Sequence, residues 1–374
     1  MVLTADTTTG QAVSAEEREA LAEAIRELIK RRGDSASVRS AMRGTPRMDR
    51  DLWRTLCTEI GVAALPIPEE YGGAGATFAE TAAVLEELGS ALSPVPVFGS
   101  AVLATATILL ADDADTSQRL LPHLASGERI AAVCWADATG WERIGVRADA
   151  GLLTGTAHYV VDGEAADTLL VFASSGEQVT LHAVDTTADG VSVTPLPTMD
   201  PTRPLGAVHF DEAPSATIAA PGDLPHRLRT IAWALLSAEQ VGGAQAALDR
   251  TVEYTKARKQ FGRTIGSFQA LKHRIADMYV QVETARSISR AAVDAVVTGD
   301  PAADELAVAA HVYCSEAFKS VTGEAIQLHG GIGITWEHDI QLYFKRAHGS
   351  AQLLGAPHQA VARAVAALRS TANG

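Results

Sequence analysis

Positive charge, cysteine and long hydrophobic runs are all scarce in this sequence. Its 374 residues include 31 Lys and Arg against 45 Asp and Glu, which gives a formal net charge of −14. A protein that binds a nucleic-acid backbone would present a basic face, so this charge argues against nucleic-acid partners. The three cysteines, Cys57, Cys134 and Cys314, form no CxxC pair. Their small, odd number predicts a reducing compartment and no disulfide framework.

Signals for membranes, export and metal binding are missing as well. No apolar run approaches the roughly 20 residues that a helix needs to span a bilayer. The first residues, MVLTADTTTGQAVSAEE, lack the basic-then-apolar pattern of a signal peptide. The histidines show no metal-ligand spacing, and neither HExxH nor a nucleophile elbow occurs. These absences predict a cytoplasmic protein without a metal site.

The hydrophobic periodicity changes twice along the chain. Up to about residue 125 the pattern is helical, and Ser14 with Glu17 three residues later predicts a capping box at the first helix. At 126–222, short segments such as TLLVFAS and VTLHAVD are rich in β-branched and aromatic residues, which predicts an antiparallel sheet or barrel. From residue 223 to the end the period is helical again.

The third region has the spacing of a four-helix bundle. Its apolar residues predict long helices at about 224–257, 268–297, 302–329 and 337–369. The predicted fold is therefore α+β and multidomain. It comprises a helical N-terminal domain at 1–125, a middle antiparallel β-domain at 126–222 and a C-terminal four-helix bundle at 223–374.

Two motifs in the third region combine cations, aromatic rings and glycines. In RKQFGRTIGSFQ the first long helix ends near Phe261, and Ser267 is placed to cap the next helix. Arg258 would project at the helix end, where its guanidinium fork can bind a phosphate or pyrophosphate. In QLHGGIGITWEHD, two adjacent glycines allow a ligand to approach the backbone closely. Either motif alone fits a helix cap and a turn, but together they point to a flat, anionic ligand.

These motifs resemble those of the acyl-CoA dehydrogenases, and the resemblance covers almost the whole chain. It is strongest in AEQVGGAQAALDRTVEYTKARKQFG and AIQLHGGIGITWEHD, while PEEYGGAG, EELG, DGEAADTLLVF and MDPTR follow in the family's order. The resemblance implies the fold described above, with FAD as cofactor. It also implies α,β-desaturation of an acyl-CoA or acyl-carrier thioester, an electron-transfer acceptor and at least a dimer.

The same resemblance implies cofactor contacts for eight residues of the two motifs. They are Arg258, Gln260, Phe261, Phe268, Gln269, Gln327, Gly330 and Gly331. In the family, these segments typically reach a flavin that is held mainly by a neighbouring subunit.

The middle region departs from the family pattern where members face the flavin. Members usually carry a Thr-Glu-Pro-Gly-Ala-Gly-Ser-Asp-like stretch, but this chain reads CWADATG. Members often have Trp-Ile-Thr-Asn-Gly beside the flavin ring, but this chain reads YVVDG. Tyr159 could pack at that position, whereas Val161 cannot donate a side-chain hydrogen bond.

Apolar residues also occupy both positions at which the family places its catalytic base. One is Leu354, directly before Gly355, and the other is Ala232, on the first helix of the predicted bundle. Glu239 is a candidate substitute on nearly the same helical face as Ala232, about 10 Å along the axis. A helix glutamate paired with a nearby cation is the favoured interpretation of Glu239.

In lacking the base, the chain resembles the subunits of heteromeric actinobacterial-type acyl-CoA dehydrogenases that lack the usual glutamate. This resemblance predicts a homo- or hetero-oligomer, a dimer or tetramer, in which a glutamate-bearing paralogue supplies the base. Three alternatives stay open: a homomeric dehydrogenase that uses Glu239, a flavin-dependent oxidase or monooxygenase on the same fold, and a non-catalytic structural subunit. Fatty acyl, branched acyl, sterol side-chain and carrier-bound thioesters all remain candidate substrates.

Overall fold

The computed structural model describes residues 13–372, and the first part of this range is helical. The first helix begins after Ser14. The Ser14 hydroxyl accepts a hydrogen bond from the Glu17 amide, and the Glu17 carboxylate accepts one from the Ser14 amide at 2.9 Å. The predicted capping box is therefore confirmed. The helices are α1 (Ala15–Arg32), α2 (Ser35–Ala41), α3 (Arg50–Thr55), α4 (Phe78–Ser90), α5 (Thr105–Ala111) and α6 (Ala114–Ala125). A π-helical segment, Val97–Ala104, leads directly into α5.

Ten strands form the middle region. They are β1 (Ala131–Cys134), β2 (Ala136–Asp137), β3 (Gly140–Ile144), β4 (Val146–Asp149), β5 (Leu152–Val161), β6 (Thr168–Ser175), β7 (Gln178–Asp185), β8 (Val191–Pro195), β9 (Leu205–Pro214) and β10 (Ala216–Ile218). The main sheet has the order β10-β7-β6-β4-β5-β9-β8, and β1 also pairs with β6. Most pairings are antiparallel as predicted, but β1 and β4 run parallel to β6. The strand β6 is buried from Thr168 to Ala173, as is usual for a strand with parallel neighbours.

The C-terminal region is built around long helices. They are α7 (Leu224–Ala257), α8 (Gln269–Thr298), α9 (Ala303–His329), α10 (Ile340–Ser350) and α11 (Pro357–Ala372), and a short hairpin of β11 (Lys259–Gln260) and β12 (Arg263–Thr264) joins α7 to α8. The single helix predicted at 337–369 is two helices, α10 and α11. Between α10 and α11, Leu354 has a φ of 61° and Gly355 has a φ of 113°, and a right-handed helix cannot accommodate these values. The predicted cap by Ser267 was also wrong, because its hydroxyl donates to the Thr264 carbonyl instead.

Helix α7 lies at the centre of the fold, where it packs against α4, α8 and α9. Two adjacent glycines make this close packing possible. A Cβ on Gly242 would lie 1.8 Å from the Glu86 carbonyl oxygen of α4, and one on Gly243 would lie 2.4 Å from the Phe318 ring of α9. The segment QVGG is therefore needed for helix contact, whatever else it does. None of the described helices is long and apolar enough to cross a membrane.

Candidate functional site

The end of α7 presents an exposed cation beside a hairpin. The helix ends at Ala257, and Arg258 follows it with extended backbone angles. The Arg258 side chain is exposed and has no ion-pair partner among the described residues. Its backbone is fixed at both ends, because its amide donates to the Tyr254 carbonyl and its carbonyl accepts from the Ile265 amide, each at 2.8 Å. A guanidinium held this way is available to an anionic group.

The tip of the hairpin exposes an aromatic ring. Phe261 has φ of 52° and is 93% exposed. Its ring makes an edge contact with Phe268 at 6.3 Å between centroids, and the Arg263 guanidinium lies 4.1 Å from the Phe268 centroid. Gln260 and Gln269 are exposed as well, and their amide groups bond the Lys259 carbonyl and the His273 ring. The five predicted residues from Arg258 to Gln269 thus lie together at one end of α8.

The second motif forms a glycine turn at the end of α9. Gly330 has φ of 64° and ψ of −146°, a conformation open essentially to glycine alone. A Cβ on Gly330 or on Gly331 would meet nothing within 4 Å, so a ligand can approach this backbone from outside. Gln327 is exposed one turn earlier.

Tyr254 and His329 bring the two motifs together. The Tyr254 hydroxyl donates to the His329 carbonyl at 3.2 Å, and the two rings stack with centroids 4.4 Å apart. Tyr254 is one turn before Arg258, and His329 directly precedes Gly330. No sequence motif predicts this contact, which places the hairpin and the glycine turn side by side on one surface.

The two family positions for a base are both buried. Leu354 is 1% exposed and Ala232 is fully buried. The Gly355 carbonyl, next to Leu354, accepts from Nε2 of His311 at 2.8 Å, and the His311 ring stacks on Trp233. Burial lowers the pKa of His311 to about 4, so this histidine is neutral at pH 7. No group at either position can take a proton from a substrate carbon.

Aromatic side chains and an arginine fill the space around these positions. Trp135, in the stretch CWADATG, and Trp141, directly after that stretch, are 4% and 8% exposed. The Arg229 guanidinium lies 4.7 Å from the Trp135 centroid and 5.8 Å from that of Trp233, and it donates to the Trp141 carbonyl at 2.9 Å. Tyr159, expected to pack beside a flavin, packs its ring 6.4 Å from Trp141. The middle region and the helices therefore meet here through packed side chains.

Glu239 is paired with two buried arginines. Its carboxylate accepts from Arg346 at 2.7 Å and also from Arg203. Burial alone would raise the pKa of Glu239, but the charges and hydrogen bonds of the two arginines outweigh burial and lower it. A carboxylate that is stabilised in its ionised form and has both neighbours fixed is a poor proton acceptor. The sequence suggested a paired cation here but could not name its partners, since they are distant in the chain.

Known proteins resemble this chain in sequence and in fold. Residues 15–128 match the family described as acyl-CoA dehydrogenase, N-terminal domain, and residues 232–367 match the family described as acyl-CoA dehydrogenase, C-terminal domain. The acyl-CoA dehydrogenase IpdE2 of Mycolicibacterium smegmatis is 43% identical over 348 residues, which cover 93% of this chain and 97% of that protein. IpdE2 of Mycobacterium tuberculosis is 42% identical, with 93% and 96% covered.

Solved structures show the same fold. The Tcur3481-Tcur3483 steroid ACAD is 30% identical with a TM-score of 0.87, and the match covers 96% of this chain and 99% of that chain. The ChsE4-ChsE5 complex from Mycobacterium tuberculosis contains a chain that is 29% identical with a TM-score of 0.87, covering 96% and 98%. The exposed Arg258 guanidinium can pair with the phosphate groups of FAD, and the glycine turn leaves room for a ligand beside it. The chain therefore belongs to the acyl-CoA dehydrogenase family of FAD-dependent oxidoreductases.

Proposed function

We propose that this chain is one subunit of a heteromeric acyl-CoA dehydrogenase, in which a paralogous subunit supplies the catalytic glutamate and holds most of the flavin. The observation that carries the proposal is the contrast between two parts of the chain. The surface formed by the hairpin and the glycine turn is open, while the region around Leu354 and Ala232 is packed. FAD accepts the β-hydrogen of the substrate as hydride when it is bound in such an enzyme.

The packed region supports the assignment of the base to another chain. A base must come within hydrogen-bond reach of the proton that it removes. Leu354 and Ala232 have no titratable group, and Glu239 is engaged by Arg203 and Arg346. The Arg229 guanidinium lies 4.7 Å from the Trp135 ring and 5.8 Å from the Trp233 ring, so packed side chains adjoin both family positions for the base.

The open surface supports a contact with a second subunit. In this proposal Arg258 binds the pyrophosphate of FAD, Phe261 packs against the cofactor, and Gly330 and Gly331 face its adenosine diphosphate portion. Large apolar side chains on the same segments and on α8 are exposed; they are Phe261 (93%), Ile334 (74%), Trp336 (60%), Val280 (60%) and Tyr279 (55%). Exposed apolar side chains in such number are typical of a surface that another protein covers.

A steroid-derived acyl-CoA thioester is the substrate class that we propose. One similar structure is a steroid ACAD with two chain names, Tcur3481 and Tcur3483. The ChsE4-ChsE5 relative is also a complex of two differently named chains. In the heteromer, this chain orients the cofactor, and the electrons leave through an electron-transfer acceptor.

Activity measurements with and without the paralogue test the proposal. The chain is purified alone and together with the product of a neighbouring gene, a dehydrogenase-like protein that carries the glutamate. Dye reduction is then followed with fatty, branched and steroid-derived acyl-CoA thioesters. We expect turnover by the pair only, and its loss when the partner's glutamate is replaced by glutamine. Dehydrogenation by this chain alone, abolished by Glu239→Gln, would overturn the proposal. Oxygen-dependent turnover would instead indicate an oxidase, and full activity of the partner without this chain would indicate that this chain is a structural subunit.

Restoring the glutamate in this chain should not restore activity. We expect the Leu354→Glu variant to remain inactive alone, because position 354 is buried and the neighbouring Gly355 lies against Trp233, with a Cβ added to Gly355 3.8 Å from the indole. The variant should also be less stable than the wild type, since a carboxylate replaces a side chain that is 1% exposed. Dye reduction and melting temperature measure the two effects. A folded Leu354→Glu protein that turns over alone would show that this chain has its own acyl site.

A further inference from the structure

A cluster of buried charges joins the three regions of the chain and takes no part in the proposed reaction. Asp200 and Arg203 lie in the connection between β8 and β9, and Asp162 follows β5. Glu239 is on α7 and Arg346 is on α10. All five side chains are less than 9% exposed. We call this cluster the junction.

The junction has more carboxylates than cations to pair them. Arg346 donates to Asp200 at 2.7 Å and to Glu239 at 2.7 Å, and Arg203 donates to Glu239. Asp162 accepts from the backbone amide of Gly99 at 3.1 Å, a neutral donor of the π-helical segment. Lys345, next to Arg346 on α10, adds a positive charge that acts on Asp200 and not on Asp162. Asp162 is therefore the carboxylate of the junction without an ion pair among the described residues, and burying it in its ionised form is costly.

We propose that the junction is a proton-binding site, in which Asp162 of the folded chain carries a proton at mildly acidic pH and releases it as the pH rises past neutrality. One proton makes the five groups neutral as a set. The junction shares no residue with the hairpin or the glycine turn, so this proposal does not depend on the proposed function.

The surroundings of Asp162 agree with a neutral carboxyl group. The charged groups that face it are Arg203, Glu239 and Arg346, while the N-terminal segment contributes the Gly99 amide. Glu164, further along the same connection, is paired with Arg47. Burial raises the pKa of Asp162 from 3.8 to about 7, against the opposing effects of Arg203 and the Gly99 amide.

A small cavity gives the carboxyl hydrogen a place to bond. It has a volume of about 20 Å³ and is lined by Ser93, Asp162, Arg203 and Glu239 among others. This volume suffices for one water molecule, which needs about 10–15 Å³. Ser93 Oγ and Arg203 Nε are buried at this cavity without a hydrogen-bond partner among the described residues. A water there can accept from Asp162 and also satisfy these two groups.

The proton links the stability of the chain to pH in a defined direction. The folded chain binds this proton more tightly than the unfolded chain, whose aspartate has its ordinary pKa of 3.8. The stabilisation from Asp162 is therefore complete at low pH, falls as the pH rises through about 7, and is lost above it. At alkaline pH the junction then contains a carboxylate whose negative charge is not compensated.

The Asp162→Asn variant of the full chain tests this proposal. Asparagine keeps an oxygen that can accept from Gly99 and removes the charge, so we expect the melting temperature at pH 8 to rise above that of the wild type and at pH 5 to match it. The control is Asp200→Asn, which removes a charged partner of Arg346 and should lower the melting temperature at both pH values. A lower melting temperature for Asp162→Asn at pH 8 would overturn the proposal.

Infrared spectroscopy detects the protonated carboxyl group directly in the wild-type chain, so this test does not depend on whether a variant folds. With ¹³C-labelled aspartate in the wild-type chain, we expect a protonated aspartic acid carbonyl band at pH 6 that disappears as the pH is raised to 9. Surface aspartates are ionised over this range and do not contribute. A wild-type spectrum without this band at pH 6 would show that Asp162 is ionised and that the junction holds no proton.

Discussion

Replacing Arg346 with methionine is expected to lower the free energy of unfolding by about 3–5 kcal/mol, the usual cost of removing one partner from a buried ion pair. Arg346 is 3% exposed and is hydrogen-bonded to Asp200, Thr202 and Glu239. Methionine has a similar length but donates no hydrogen bond. Two carboxylates would then remain buried with less compensation, and Glu239 would keep Arg203 alone. Denaturant unfolding of the wild type and the variant measures the difference.

An exposed ion pair provides the matched control for this substitution. Arg54 contacts Asp51 at 2.9 Å, and both side chains are mostly in solvent, 70% and 81% exposed. The Arg54→Met variant should change the free energy of unfolding by no more than about 0.5 kcal/mol, because exposed pairs contribute little. Equal losses for Arg346→Met and Arg54→Met would show that the junction does not stabilise the contact between the three regions.

The helical frame could be predicted from sequence because its signals are local. The apolar spacing at 224–257 and 302–329 corresponds to α7 and α9, whose bounds are Leu224–Ala257 and Ala303–His329. The break after α10 was missed, although Gly355 and Pro357 are both unfavourable inside a helix. Apolar residues on both sides of the break, which include Leu353 and Leu354, continue the hydrophobic pattern across it.

The junction could not be predicted because its members are far apart in the chain. Asp162, Arg203 and Arg346 belong to a turn, a loop and a helix, and no periodicity relates them. A charged residue in a helix ordinarily faces solvent, so Glu239 and Arg346 gave no sign of their burial. The parallel pairing of β1 and β4 with β6 was missed for the same reason, since strand order depends on non-local contacts.

The candidate site was predictable to the extent that it depends on motifs. RKQFG and HGGIG gave Arg258 and the two glycines, and the structure places both segments on one surface through Tyr254 and His329. The packing of Trp135, Trp233 and Arg229 was not predictable, because their contacts join the middle region to α7.

Replacing Arg258 with alanine is expected to weaken retention of FAD by the active heteromer roughly 10- to 100-fold. The estimate corresponds to one or two charge-assisted hydrogen bonds to the pyrophosphate, about 1.5–3 kcal/mol. Arg258 is exposed at the end of α7, and its backbone is held by Tyr254 and Ile265, so the substitution should leave the hairpin folded. Flavin absorbance per heteromer after dialysis, together with a titration of added FAD, measures the loss.

Two further variants separate the guanidinium fork from charge and from general disturbance of the hairpin. Arg258→Lys keeps the positive charge but loses the paired donors, so it should retain FAD to an intermediate degree. Lys259→Ala removes the neighbouring exposed cation on β11, which is not among the predicted cofactor contacts, and it should retain FAD as the wild type does. If Arg258→Ala binds FAD with unchanged affinity, or if Lys259→Ala loses as much, the pyrophosphate contact does not belong to Arg258. The hairpin would then serve the subunit contact through Phe261 alone.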